Sequence, residues 1–285
     1  MTNVGVVTGA ARGMGFAAAR RMADAVDVLL VVDRDENGAR AAADELSATT
    51  RTVPAALDVT DADGMAGLRE QVAAEGTLRA VAHAAGISPT MADWRTVIRV
   101  DLVGTALLLD ALGPLVQPGT AAVCFASMAA HMAADHVDPA VDVALDAPLD
   151  DQLLERLREA AGEMVEDPGA AYGLAKRGVQ RLVRREAVAW GERGGRVNSV
   201  SPGMIDTPMG RQEFDAQPMM KVMLDMTPLA REGTADELAD AVAFLLSDRA
   251  SFVTGTDLLV DGGVVAALHA AMIGNQPVPG QEEQS

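Results

Sequence analysis

The stretch AAYGLAKRG, residues 170–178, holds the only tyrosine of the chain, Tyr172, four positions before Lys176. Positions i and i+4 of a helix share a face, so a helix here would point phenol and ammonium the same way. A free phenol has a pKa of ~10 and is a poor base at neutral pH. An ammonium beside it stabilises the phenolate and lowers that value. Tyr172 would then take a proton from an alcohol or return one to a developing alkoxide. Taken alone, the pair also fits an ordinary exposed helix turn, so the surrounding motifs have to decide.

A second constellation lies at the N-terminus, where VVTGAARGMG places Gly9, Gly13 and Gly15, with Arg12 and Met14 between them, after a short apolar run. Glycines at a strand–helix junction allow a tight turn and let backbone amides approach a phosphate. The partial positive charge of the helix N-terminus favours a pyrophosphate there. The strand–loop–helix setting is what a dinucleotide site requires. The next apolar run ends at Asp33, whose carboxylate would accept hydrogen bonds from a ribose diol and repel a 2′-phosphate, which favours NAD over NADP. Arg34 follows directly, and its guanidinium could pair with a 2′-phosphate. A bound nicotinamide cation would add to the pull of Lys176 on the Tyr172 proton.

These groups need a scaffold. Apolar runs at 3–8, 26–33, 51–58, 79–86, 120–127, 195–203 and 256–263 read as strands, and 13–25, 36–48, 61–75, 91–113, 169–192 and 234–247 as helices. Alternating helices and continuously apolar strands predict a parallel sheet covered on both faces. With right-handed crossovers this is an α/β, doubly wound Rossmann sheet of about seven strands. Residues 1–264 form one domain in this reading, and 265–285 a tail that is loose from Asn275 onward. Residues 131–168 carry eleven Asp or Glu against two Arg. There Leu149, Leu153, Leu154 and Leu157 have helical spacing, which predicts an inserted amphipathic helix.

Composition narrows the classes. The chain has 285 residues, 49% of them hydrophobic and only 3% aromatic, so its core is built of Ala, Val, Leu and Met. A net charge of −18 disfavours nucleic acid and anionic membranes as partners. The single cysteine, Cys124, excludes an intrachain disulfide and reads as a buried small hydrophobe. No signal peptide and no membrane-length apolar run is read, so a cytoplasmic protein is the expectation. His83 reads as facing the core or the adenine side, and His131 and His136 as structural or surface residues. None has metal-ligand spacing, and no metal is expected.

Seven motifs in order resemble the short-chain dehydrogenase/reductase family from about residue 4 to 264. TGAARGMG resembles its TGxxxGxG loop, and LDVTD the strand end where Asp58 and Val59 flank adenine. HAAG, with Ala84, Ala85 and Gly86, stands in place of NNAG. Ser127, YGLAK, PGMIDTPM and TGTDLLVDGG complete the series. The resemblance implies that Ser127 donates to the substrate oxygen, that Tyr172 is the acid–base, and that Lys176 also holds the nicotinamide ribose. Pro202 and Gly203 border the nicotinamide. Ile205 and Thr207 would hold its carboxamide, one through backbone and one through hydroxyl. Asp101 stands where the family usually has a fourth catalytic residue, Asn, and its negative charge near Lys176 would alter a proton relay. The Ser127–Tyr172 spacing is unusually long. Its acidic filling resembles, in placement, the extra helical segment of the 3α-hydroxysteroid dehydrogenase/carbonyl reductase branch.

The implied activity is an NAD(P)-dependent interconversion of secondary alcohol and ketone. Met204, Met209, Met219, Met220, Met223 and Met226 follow Pro202, and adaptable methionines suit a bulky apolar substrate such as a steroid or another alicyclic compound, or simply pack a lid. The resemblance also implies a homodimer or homotetramer through the helices at 91–113 and 169–192. Two other readings stay open at this point: a nucleotide-binding regulatory protein with impaired catalysis, and an isomerase, epimerase or dehydratase on the same fold.

Overall fold

A computed structural model describes residues 1–132 and 137–274, so His136 and the tail from Asn275 to Ser285 lie outside the described residues. Seven parallel strands form the sheet: β1 (Asn3–Thr8), β2 (Val28–Asp33), β3 (Arg51–Ala56), β4 (Thr77–His83), β5 (Ala121–Phe125), β6 (Arg196–Pro202) and β9 (Asp257–Val260). A separate two-residue pair, β7 (Ile205–Asp206) and β8 (Gly233–Thr234), lies outside it. The sheet order is β3-β2-β1-β4-β5-β6-β9. The order reverses between β1 and β4, and in such sheets ligands bind beyond the carboxyl ends at that point. The predicted doubly wound sheet is therefore the observed one.

The central strands β1 and β2 read as apolar runs because both faces are covered, whereas the edge strand β3 is partly exposed. In β2 every residue but Asp33 is buried. Helices α1 (Gly13–Ala23), α2 (Glu36–Leu46) and α12 (Ala235–Leu246) cover one face with an alanine-rich layer. The other face carries α3 (Ala62–Glu75), α4 (Trp94–Ile98), α5 (Gly104–Leu112) and α9 (Pro168–Gly191). Helix α9 starts where the chemistry of its N-terminus dictates. Asp167 accepts from the Ala170 amide at 2.8 Å, and Pro168 takes the first helical position, where a missing N–H costs nothing.

Three expectations change. The helix predicted over 91–113 begins at Trp94 and is interrupted by a π-helical turn, Arg99–Val103, centred on Asp101. An extra residue in one turn re-aims side chains and is common at functional sites. Leu149 is not part of the amphipathic helix. That helix, α8 (Leu153–Ala161), begins four residues later, and Leu149 lies exposed in the preceding turn. Finally, the first part of the predicted tail is a helix, α13 (Val264–Gly274), whose Val264 and Val265 are buried.

The acidic segment is docked onto the domain. Besides α8 it contains α7 (Pro139–Leu145), and Val141, Leu145, Leu153, Leu157 and Val165 join the main core. On α9, Arg177, Arg181 and Arg185 recur every four residues and form one stripe. Arg177 grips Asp142 through two bonds of 2.7 and 2.8 Å. Arg181 reaches both Asp142 and Asp146, and Arg185 donates to the Asp146 carbonyl.

Candidate active site

The carboxyl ends of the central strands open into one cleft of about 340 Å³. At its floor the β1–α1 turn passes against the end of β4. Gly9 has φ +66°, and a Cβ there would lie 2.7 Å from the Ala85 amide nitrogen, so no other residue fits. At Gly15 a Cβ would fall 2.0 Å from the Gly9 carbonyl oxygen, which fixes how closely α1 approaches the turn. The N-cap of α1, Arg12, makes no side-chain cap bond. In contrast, Asp35, Asp61, Asp167 and Thr234 cap their own helices. The first amides of α1 thus face the cleft without a side-chain acceptor, which is the arrangement an incoming phosphate would complete.

Asp33 and Arg34 line the cleft at the end of β2. The Asp33 carboxylate accepts from the Ala11 and Asp35 amides, both at 3.0 Å, which holds it at the rim. Asp58 accepts from the amide and hydroxyl of Thr60, and these bonds hold its pKa below the usual carboxylate range. Val59, Ala84, Ala85 and Gly86 continue this wall; Gly13, Met14, Pro202, Gly203, Ile205 and Thr207 complete the lining. Thr207 accepts from the Gly210 amide at 3.0 Å, leaving its hydroxyl hydrogen free to donate.

Ser127, Tyr172 and Lys176 come together on the remaining wall. Lys176 Nζ lies 5.5 Å from the centre of the Tyr172 ring and donates to the Phe125 carbonyl at 3.1 Å. The Ser127 hydroxyl is near enough to the phenol to favour its ionised form slightly. Every predicted site residue borders the cleft except Asp101, which stands behind Lys176. Asp101 is fully buried; its Oδ1 is 3.2 Å from Lys176 Nζ and accepts from the Ile87 amide at 3.1 Å. Among the described residues its Oδ2 has no partner, and its backbone carbonyl already accepts from the Thr105 hydroxyl at 2.8 Å.

This pairing reverses one expectation. The Tyr172 pKa is raised rather than lowered in the protein alone. Burial of the phenol pushes it up, Lys176 opposes that, and the Asp101 carboxylate adds to the rise. Burial also raises the Asp101 pKa against the pull of Lys176. The Lys176 ammonium loses hydration, yet Asp101 and Tyr172 more than restore its charged form.

Other contacts had little signal in the sequence. His83 is buried against the core, its Nδ1 2.7 Å from the Thr8 hydroxyl, which in turn accepts from the Ala85 amide. Thr8 and His83 therefore brace the loop at the position where the resemblance expects an asparagine. His131, in α6 (Met128–Met132) just after Ser127, bonds Asp257 at 2.7 Å and Gln180 at 3.0 Å. Asp257 also accepts from Ser199 and Ser201, so this network ties α6 to α9, β6 and β9. Cys124 is fully buried. Among the described residues no group of three or more His, Cys, Asp or Glu could hold a metal ion, and no helix is long and apolar enough to cross a membrane.

Comparison with known proteins agrees with this geometry. A family model described as enoyl-(acyl carrier protein) reductase matches residues 9–144 and 157–265, leaving 145–156 between the two matched stretches. The cis-4-hydroxycyclohexanecarboxylate dehydrogenase of Sinomonas cyclohexanicum is 34% identical over 92% of this chain and 96% of its own length. The D-threitol dehydrogenase of Mycolicibacterium smegmatis is 32% identical over 91% and 92%. A solved short-chain type dehydrogenase/reductase from Mycobacterium ulcerans superposes with a TM-score of 0.73 at 26% identity, covering 93% of this chain and 90% of that one. Strand order, glycine turn, Ser–Tyr–Lys cluster and these matches agree: the chain belongs to the short-chain dehydrogenase/reductase family.

Proposed function

We propose that this oxidoreductase interconverts a secondary alcohol and a ketone with NAD, using Tyr172 as the acid–base. The observation that carries the reading is the meeting of Tyr172, Ser127 and Lys176 on the wall of a cleft whose floor is the uncapped start of α1. When bound, the nicotinamide supplies the acceptor or donor of hydride. The α1 amides would hold the pyrophosphate, Asp33 the adenosine ribose, and Lys176 the nicotinamide ribose. Asp58 and Val59 would flank the adenine, and Ile205 and Thr207 would take the carboxamide. The position of Asp33 supports NAD over NADP, although Arg34 beside it also lines the cleft.

In the oxidative direction Tyr172, as phenolate, takes the proton of the alcohol; in the reductive direction its phenol gives that proton to the carbonyl oxygen. Ser127 donates a hydrogen bond to the same oxygen as charge develops on it. Lys176 stabilises the phenolate. Asp101 acts behind Lys176 and has no contact with the cleft. A bulky alicyclic substrate is supported by Met91, Met128, Met204, Met209, Met220 and Met223, which line the substrate end. A relative named for 4-hydroxycyclohexanecarboxylate supports an alicyclic ring, though that ring carries a carboxylate, and one named for a sugar alcohol supports small polyols. We place the protein in the cytoplasm as a homodimer or homotetramer.

The test mixes the protein with NAD or NADP and a panel of steroid, cyclohexanol-type and polyol substrates, and follows reduced nicotinamide by absorbance. Oxidation of alicyclic alcohols with NAD is expected. Turnover only on polyols would overturn the substrate class, and equal use of NADP the cofactor choice. Tyr172→Phe should keep NAD binding and lose at least a hundredfold in turnover, in the range general acid–base catalysis supplies. A near-normal rate would remove Tyr172 from the mechanism.

A further inference from the structure

The substrate end of the cleft is closed by α10 (Pro208–Ala216) and α11 (Pro218–Met226). Its lining is methionine-rich, with one ionisable group on the closing helices, Glu213. Glu213 is partly buried, and burial raises its pKa. Among the described residues its side chain has a single weak partner, the Gln217 amide nitrogen at 3.4 Å. Among the described residues, no Lys, Arg or His lies within ion-pair distance of it. Glu213 lines the same cleft as Tyr172, and its charge makes the smallest of the contributions that raise the Tyr172 pKa.

The charges around it leave that carboxylate unanswered. Lys176 is ion-paired to Asp101 at 3.2 Å, so the two together present little net charge. Arg12 and Arg34 line the glycine-loop side of the cleft, where phosphate and ribose are expected. Glu232, the other carboxylate bordering the lid, adds negative charge. A carboxylate in an apolar bowl with no cation is costly, and a ligand bearing a donor or a positive charge removes that cost. A ligand carboxylate at the same place would be repelled and left without a partner.

We infer that Glu213 is a specificity-determining residue that selects substrates bearing an ammonium or hydroxyl donor on the side opposite the reacting carbinol, and excludes carboxylates. The inference rests on the proposed secondary-alcohol reading and narrows it to amine- or hydroxyl-bearing alicyclic alcohols and ketones. Glu213 binds the far end of such a ligand while its carbinol oxygen meets Tyr172 and Ser127.

The experiment measures binding of 4-aminocyclohexanol, cyclohexanol and 4-hydroxycyclohexanecarboxylate by calorimetry, with and without NADH. The full-length wild-type, Glu213→Gln and Glu213→Lys proteins are compared. The wild type should bind the amine at least tenfold more tightly than the carboxylate. Glu213→Gln should shrink that ratio at least fivefold, and Glu213→Lys should invert it. A wild-type ratio of one or less overturns the inference, as does a ratio that neither variant changes. The wild-type ratio decides even if a variant fails to fold. Oxidation of 4-aminocyclohexanol and of 1,4-cyclohexanediol by the wild type with NAD is followed separately. If it is absent while the binding ratio holds, the catalytic reading falls and the Glu213 assignment stands; if it is present without the ratio, the reverse is true.

Discussion

Replacing Asp101 by Asn removes one buried charge and almost no volume. In the structure Asp101 Oδ1 touches Lys176 Nζ at 3.2 Å, and Nζ lies 5.5 Å from the Tyr172 ring centre. At 3.2 Å and an effective dielectric of ~20 the Asp101–Lys176 attraction is worth about 5 kcal/mol. Removing both ions from water costs several kcal/mol each, so the pair contributes little net stability. Its electrostatic effect on the phenol is different, because the phenol feels whichever charge is left over. The two distances place the carboxylate within about 9 Å of the ring, where a unit charge is worth ~2 kcal/mol. Asp101 raises the Tyr172 pKa. Asn carries no charge, so Asp101→Asn should lower that pKa.

Because the chain has one tyrosine, the ultraviolet band of phenolate reports Tyr172 alone, and the two tryptophans do not titrate. The assay is a difference-absorbance titration of wild type and Asp101→Asn, restricted to the pH range where circular dichroism shows both folded. The limb of the alcohol-oxidation profile that rises with pH should move to lower pH by the same amount, since phenolate is the base. A merely structural Asp101 would lower the rate and leave both curves in place. An unmoved titration, or one shifted upward, would refute the reasoning.

Two further predictions concern stability. Burial, aided by the nearby Lys176 charge, depresses the His83 pKa to about 3. Its unfolded value is ~6.5, so its contribution is complete above that pH and is lost as pH falls toward 3, at ~1.4 kcal/mol per unit. His83→Gln should remove about one proton from the acid slope of urea-unfolding free energy, and an unchanged slope would exclude a neutral buried His83. Asp142→Ala should cost about 2 kcal/mol, because it leaves the partly buried Arg177 without its two-bonded partner. Thermal unfolding checks this, and a loss below about 0.5 kcal/mol would show that the segment is held by its leucines alone.

The legible part of the fold was the part written in local pattern. Apolar runs marked the central strands, because a strand covered on both faces buries mostly apolar side chains; the buried polar residues of β6, Asn198, Ser199 and Ser201, are each hydrogen-bonded. The glycine turn was legible because its backbone leaves room for no other residue at Gly9. Contacts between residues far apart in sequence were not. The position of Asp101 behind Lys176 depends on a π turn that no periodicity announces. The direction of the Tyr172 shift depended on burial, which the YxxxK spacing does not encode. Leu149 kept helical spacing while lying in a turn, because spacing alone does not mark where a helix begins. His131 had no motif at all; its role appears only once β9 brings Asp257 beside it.

The long separation of Ser127 from Tyr172 need not disturb their meeting, for a reason visible in how each is anchored. Ser127 leads into α6, and α6 is pinned through His131 to Asp257 on β9 and Gln180 on α9. Tyr172 sits one turn into α9, whose start is fixed by the Asp167 cap and whose next turns are buried in the main core. Residues 145–156, unmatched in the family comparison, fall largely between α7 and α8, which are held by Asp142 and Asp146 on the α9 arginines and by Leu145, Leu153 and Leu157 in the core. A connection between two anchored helices costs little more as it lengthens, since closure entropy grows only with the logarithm of length. The acidity of the segment follows in part from the same arrangement: Asp142 and Asp146 answer the arginine stripe of α9, Asp150 and Glu166 pair with Arg156 and Arg158, and Asp138 and Asp167 cap helices. Variation in this segment should therefore change stability and surface charge well before it changes the distance between the serine and the tyrosine.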